Sequence, residues 1–101
     1  MLKIIQINVE KNHHVRCHFN NGEIKVIDIL PILNNHSKLK GIEKLYQQEF
    51  FEKVEIGEFG ELVWRNCIEL DHDGQSQLWD YDISPEFVYQ LSLLENNLMQ
   101  V

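Results

Sequence analysis

Residues 14–29 read HVRCHFNNGEIKVIDI, and this stretch decides the fold class. Its first half alternates apolar and polar side chains, the period-two pattern of a strand with one buried and one solvent-facing side. The apolar members are Val15, Cys17 and Phe19. Asn21 and Gly22 follow, and both residue types tolerate the positive φ angles of a type I′ turn. The stretch therefore predicts an antiparallel β-hairpin with a turn at Asn21-Gly22.

Further strands are predicted on both sides of this hairpin. Residues 3–9 (KIIQINV) alternate, which places Ile5, Ile7 and Val9 on one face. Residues 53–57 and 61–64 read as two short strands around a turn at Glu58-Phe59-Gly60. Residues 67–71 can add one more strand edge before the turn sequence DHDGQS at 71–76.

Two helical segments follow from the sequence. Residues 42–52 place Ile42, Leu45 and Tyr46 on one helical stripe, with Phe50 and Phe51 in a short second turn, after a loop at 34–41. Ser84 fits an N-cap, followed by Pro85 at the first helical position and Glu86 in the first turn. The apolar face of this last helix is predicted to hold Phe87, Leu91, Leu94 and Leu98.

Strands joined by tight turns, with helices between and after them, indicate an α+β fold. We expect a mostly antiparallel sheet with a short helix in the middle and a C-terminal helix. The chain has 101 residues, which fits one domain over residues 1–101.

Charge and hydropathy exclude several classes of protein. The net charge is −7, and the nine Lys and Arg residues are dispersed rather than gathered in a basic stripe, so we expect no unaided binding of nucleic acid. No stretch approaches the ~20 apolar residues of a membrane span, and the N-terminus lacks the features of a signal peptide. With only two cysteines, Cys17 and Cys67, the chain is expected to be cytoplasmic and without disulfides.

The sequence offers no catalytic motif, and we expect no enzyme activity and no cofactor. Cys17 lies in phase with Val15 and Phe19, so it should be buried and inert. His14 and His18 are four residues apart on a strand, about 13 Å, which is too far to share one zinc ion. The acidic turn Asp71-His72-Asp73-Gly74 resembles part of a calcium loop but lacks its closing acidic residue.

Three segments together resemble a known bacterial family. They are NNGEIKVIDI at 20–29, GIEKLYQQEFFEKVEIGEFGELVW at 41–64 and DISPEFVY at 82–89. Their order is similar to the glycine hairpin, central helical segment, tryptophan strand and terminal D-x-x-P motif of the domain of unknown function 2442 family. The chain departs from that pattern at Val88, where leucine is usual, and in a longer stretch between Trp64 and Asp82.

The resemblance implies an α+β fold and a cytoplasmic bacterial protein, and it implies no known chemistry. Family members look like stand-alone domains beside small toxin-like genes, or like domains fused to a helix-turn-helix.

The aromatic residues suggest where a partner could bind. Trp64 lies in phase with Leu62 and should face the core. Trp79 and Tyr81 are the better candidates for exposed aromatic side chains, and Asp80 and Asp82 suit the polar rim of an interface. The alternative is that Trp79 and Tyr81 belong to an edge strand that covers the core.

These observations favour a non-catalytic protein-interaction module, antitoxin-like or regulatory, with a small basic or toxin-like protein as its partner. The partner-binding residues would be Trp79, Tyr81, Asp80 and Asp82. The alternative is a small-ligand or metal-binding domain that uses the histidines and Asp71-His72-Asp73. A homodimer formed by the final helices is a third hypothesis.

Overall fold

The computed structural model describes residues 1–99, with side chains up to Ser92, and confirms an α+β fold. The strands are β1 (Ile4–Glu10), β2 (His14–Phe19), β3 (Ile24–Asp28), β4 (Glu55–Ile56), β5 (Leu62–His72) and β6 (Gln75–Ile83). The helices are α1 (Leu30–Asn35), α2 (Gln48–Phe51) and α3 (Pro85–Met99), with 3₁₀ turns at Lys11–His13 and Ile42–Tyr46.

The strands form two antiparallel three-stranded sheets, where a single sheet was expected. Their orders are β1-β2-β3 and β4-β5-β6. The Ile4 N–H donates to the Gly60 carbonyl at 3.0 Å, where the start of β1 meets the turn between β4 and β5. That turn is the one predicted at Glu58-Phe59-Gly60, and Gly60 has a φ of +79°. One cluster of buried side chains nevertheless includes residues from both sheets and from the helices.

The first sheet buries the predicted side of β2. Val15, Cys17 and Phe19 are all buried. The prediction for β1 is wrong at Ile5: Ile4 pairs with Phe19 and Gln6 with His18, so Ile5 lies at a bulge and is exposed. A bulge adds a residue and shifts the alternation, which a period-two reading cannot anticipate.

The β2–β3 hairpin exists, but its turn is not type I′. Gly22 has a φ of +88°, whereas Asn21 is not among the residues with positive φ. The Gly22 N–H bonds the Phe19 carbonyl at 3.0 Å and the Phe19 N–H bonds the Glu23 carbonyl at 2.9 Å. This pattern is a type I turn followed by a left-handed glycine, the usual three-residue hairpin loop.

Helix α1 was not predicted. Pro31 occupies the first turn of α1, where a missing N–H costs nothing. Its buried residues Ile32 and Leu33 pack in the core. The 42–52 segment was predicted as helical, and the structure divides it into a 3₁₀ turn and α2.

Helix α3 begins as the sequence predicts, because the Ser84 Oγ accepts the Phe87 N–H at 3.2 Å. Its buried face is different from the predicted one: Val88 and Ser92 are buried, while Phe87 is exposed. Ser92 is accommodated because its hydroxyl donates to the Val88 carbonyl at 3.1 Å. Leu91 is partly buried. The side chains of the other two predicted members, Leu94 and Leu98, lie outside the described residues.

Gly41 lies against the edge of β5 that does not pair with β6. Gly41 has a φ of +102°, and a Cβ there would lie 2.1 Å from the Cys67 carbonyl oxygen. The Lys40 carbonyl also accepts the Glu69 N–H at 2.8 Å. The loop before the Ile42–Tyr46 turn is thus fixed against β5 by backbone contact that only glycine permits.

We predict that Gly41→Ala destabilises the protein by about 2–5 kcal/mol, from left-handed strain plus overpacking against the Cys67 carbonyl. Gly74→Ala is the matched control, because Gly74 also has a positive φ, +77°, but nothing lies within 4 Å of its Cβ position. It should cost only about 1–2 kcal/mol. Urea unfolding of both variants measures the difference, and equal losses would contradict the close approach.

Candidate functional site

The outer part of the β5–β6 hairpin, residues 69–80, extends beyond the core, and we call it the arm. Its residues are exposed except Glu69, which is half-buried. Asp73 and Gly74 connect the strands with φ angles of +50° and +77°, as a type I′ turn requires. The turn predicted at 71–76 is therefore confirmed, and it closes a long hairpin.

A bulge separates the arm from the buried part of the hairpin. Trp64 pairs with Tyr81 and Ile68 with Trp79, so residues 65–67 of β5 lie opposite Asp80 alone. Asn66 takes a φ of +52° at this point. The Asp80 carboxylate accepts the Asn66 N–H at 2.9 Å and the Arg65 guanidinium at 3.0 Å. Two contacts lower the pKa of Asp80 from its ordinary value of 3.8. The larger effect comes from the Asn66 N–H and the smaller one from Arg65.

Of the four predicted partner-binding residues, Tyr81 is not exposed as expected, since only 6% of it is accessible. Its ring lies 5.9 Å from that of Trp64, and its hydroxyl bonds His36 Nδ1 at 2.5 Å. Burial raises the pKa of Tyr81 to about 12. Because β6 pairs here with the strand that carries Trp64, the side chain falls over the core rather than on the surface.

Trp79 lies two residues from Tyr81 on the same face of β6. It is not covered by other elements of the core and is 54% exposed. Asp80 and Asp82 are exposed on the opposite face. The structure therefore places the predicted residues on two faces: one aromatic face that runs from buried Tyr81 to exposed Trp79, and one acidic face. Asp80 in addition secures the bulge.

The arm carries two further exposed apolar side chains that the sequence reading did not select. Leu70 shares the Trp79 face and lines a shallow groove with His72, Gln77 and Trp79. Leu78, also 54% exposed, lies opposite Glu69 on the other face. The alternation on both sides of Asp73-Gly74 is the signal that would have identified them, had the segment been treated as one hairpin.

The charge of the arm has one sign. Between residues 69 and 80 it holds Glu69, Asp71, Asp73 and Asp80 and no lysine or arginine, and Asp82 follows. The nearest guanidinium, Arg65, is engaged by Asp80 and lies 3.6 Å from Glu55. On one face of the arm Leu78 lies among carboxylates, while Leu70 and Trp79 lie on the opposite face.

The remaining candidate side chains, two cysteines and a histidine, are packed within the fold. Cys17 and Cys67 are buried and free, as expected, and burial raises their pKa values to about 12 and about 11. His13 bonds the Leu45 carbonyl at 2.8 Å and packs on Phe51. Among the described side chains, no group of three or more His, Cys, Asp or Glu residues is arranged to hold a metal ion.

Neither known family models, nor curated proteins, nor solved structures gave a match to the chain. The resemblance to the domain of unknown function 2442 family stays a prediction. None of the helices in the described residues combines the length and the apolar character needed to span a bilayer.

We predict that Asp80→Asn loosens the base of the arm. At pH 7 it should lower the free energy of unfolding by less than about 1 kcal/mol, because the carboxylate is exposed and its ion pair is screened. A lowered carboxyl pKa stabilises the folded state above the unfolded pKa, and this contribution is lost as the pH falls through the folded pKa. The difference from wild type should therefore decrease once the pH falls below 3.8 and disappear below the lowered pKa of folded Asp80.

Asp82→Asn is the control, since it removes a carboxylate from the same face without touching the bulge. Urea unfolding between pH 7 and pH 3 gives the stabilities, and hydrogen exchange at the Asn66 amide, bonded to Asp80, reports the bulge itself. Parallel pH profiles for wild type and Asp80→Asn would contradict the role of Asp80.

Proposed function

We propose that this chain is a non-catalytic cytoplasmic interaction module, antitoxin-like or regulatory, whose arm binds a small basic protein. The observation that carries the proposal is the uncovered apolar surface of the arm, where Leu70, Leu78 and Trp79 are 43%, 54% and 54% exposed beside carboxylates.

The apolar surface supports a binding role because it has no structural one. Trp79 and Leu70 continue the inner face of the second sheet past the point where the helices and the 36–41 loop cover it. A partner that covers them removes apolar area from water, at about 25 cal/mol per Å². Tryptophan is also the residue type most often responsible for large losses of affinity when it is truncated in an interface.

The carboxylates support a basic partner. A surface of one sign attracts a partner of the opposite sign and raises the rate of association. Asp71 and Asp82 lie on the Leu78 face of the arm and Asp73 lies in its turn, so carboxylates stand at both ends of the apolar surface. The buried cysteines, with raised pKa values, are poor nucleophiles, which agrees with a non-catalytic role.

The test compares protein captured by wild type and by two variants from an extract of the cells that produce the chain. Leu78→Ser with Trp79→Ser removes the two most exposed of the three apolar groups of the arm. Ile24→Ser is the matched control, because Ile24 is also 54% exposed but lies on the first sheet. We expect a small basic protein to bind wild type and Ile24→Ser and to be lost from the arm variant.

Salt supplies the second readout. Raising ionic strength from about 0.02 M to about 0.5 M shortens the screening length severalfold and should weaken the complex. Asp71→Asn with Asp73→Asn should reproduce part of that loss at low salt. A partner that binds the arm variant as well as wild type, or no specific partner at low salt, would overturn the proposal.

A further inference from the structure

We propose that the arm takes its partner as an added β-strand: an extended segment with alternating basic and apolar residues pairs with the free edge of β6. This inference rests on the proposed function and specifies how the arm would bind its partner. It names the chemistry of the occupant, a basic strand of another protein, and the backbone to which it bonds.

The first support is the edge itself. β6 covers nine residues, Gln75–Ile83, and is the last strand of its sheet. Within the described chain it pairs only with β5. An edge strand presents a row of unpaired N–H and C=O groups, a ready template for another chain. On the opposite edge of the arm, the Lys40 carbonyl occupies the position of Glu69 at the base by accepting its N–H.

The second support is the distribution of side chains over two faces. Trp79 lies on one face of β6, and Leu78, Asp80 and Asp82 lie on the other. A ligand docked flat on either face would reach only one set. A strand added along the edge sends alternate side chains to both faces, so one ligand contacts Trp79 with its apolar residues and the carboxylates with its basic residues.

The third support is the sign of the charge, which selects the occupant. A second copy of the chain would bring another arm with four carboxylates and no lysine or arginine against this one. Like charges across neighbouring strands are destabilising, whereas opposite charges stabilise the pair. The edge is therefore suited to a basic strand from a different protein.

The test uses two capped synthetic heptapeptides of identical composition and charge. In one, four lysines alternate with three valines. In the other, the same residues stand in blocks, so no extended conformation separates them onto two faces. Binding to the full chain is measured by titration, and amide hydrogen exchange of residues 75–83 is followed at saturation by NMR.

We expect the alternating peptide to bind at least tenfold more tightly than the block peptide and to slow exchange of alternate amides along β6. Trp79→Ser should weaken it severalfold, while Ile24→Ser should not. Equal binding of both peptides, or binding without protection in β6, would overturn strand addition. Either result would leave the proposed function intact if capture of the native partner still depends on Leu78 and Trp79.

Discussion

The burial of Trp64 is the constraint on which the rest of the structure depends. Its ring lies 5.7 Å from that of Phe51 and 5.9 Å from that of Tyr81, and its indole N–H donates to the Phe51 carbonyl at 2.9 Å. One side chain thereby ties the central helical segment to both long strands of the second sheet. A buried indole requires such an acceptor, because an unpaired donor in the core is costly.

The core ends a few residues beyond this aromatic packing. Past the Trp64–Tyr81 pair, Asn66 and Asp80 form the bulge, Cys67 and Ile68 are still buried, and the strands then continue outward without cover. An isolated two-stranded ribbon is at best marginally stable in water. The backbone bond from Glu69 to Lys40, together with the close approach of Gly41 to Cys67, supports the arm at its base. Core packing thus positions the candidate site, and these two contacts hold it at its base.

Much of the fold could be predicted from the sequence, because local rules dominate there. Alternation identified β2, the sequence DHDGQS identified a turn within residues 71–76, and Ser84-Pro85 identified the start of α3. The failures have a shared cause. The bulge at Ile5, the exposure of Phe87 and the burial of Tyr81 are set by which elements meet in space, and neither propensity nor period contains that information. For the site, the sequence selected Trp79 but could not assign its neighbours to opposite faces.

The two-residue connection of the arm has a consequence for how the chain folds. His72 and Gln75 meet across a turn that fixes few residues, whereas Gly41 reaches Cys67 across a much longer segment. Closing a short loop costs less chain entropy and occurs faster than closing a long one. The ribbon therefore closes at a lower cost in chain entropy than the contact of the glycine loop with β5 does.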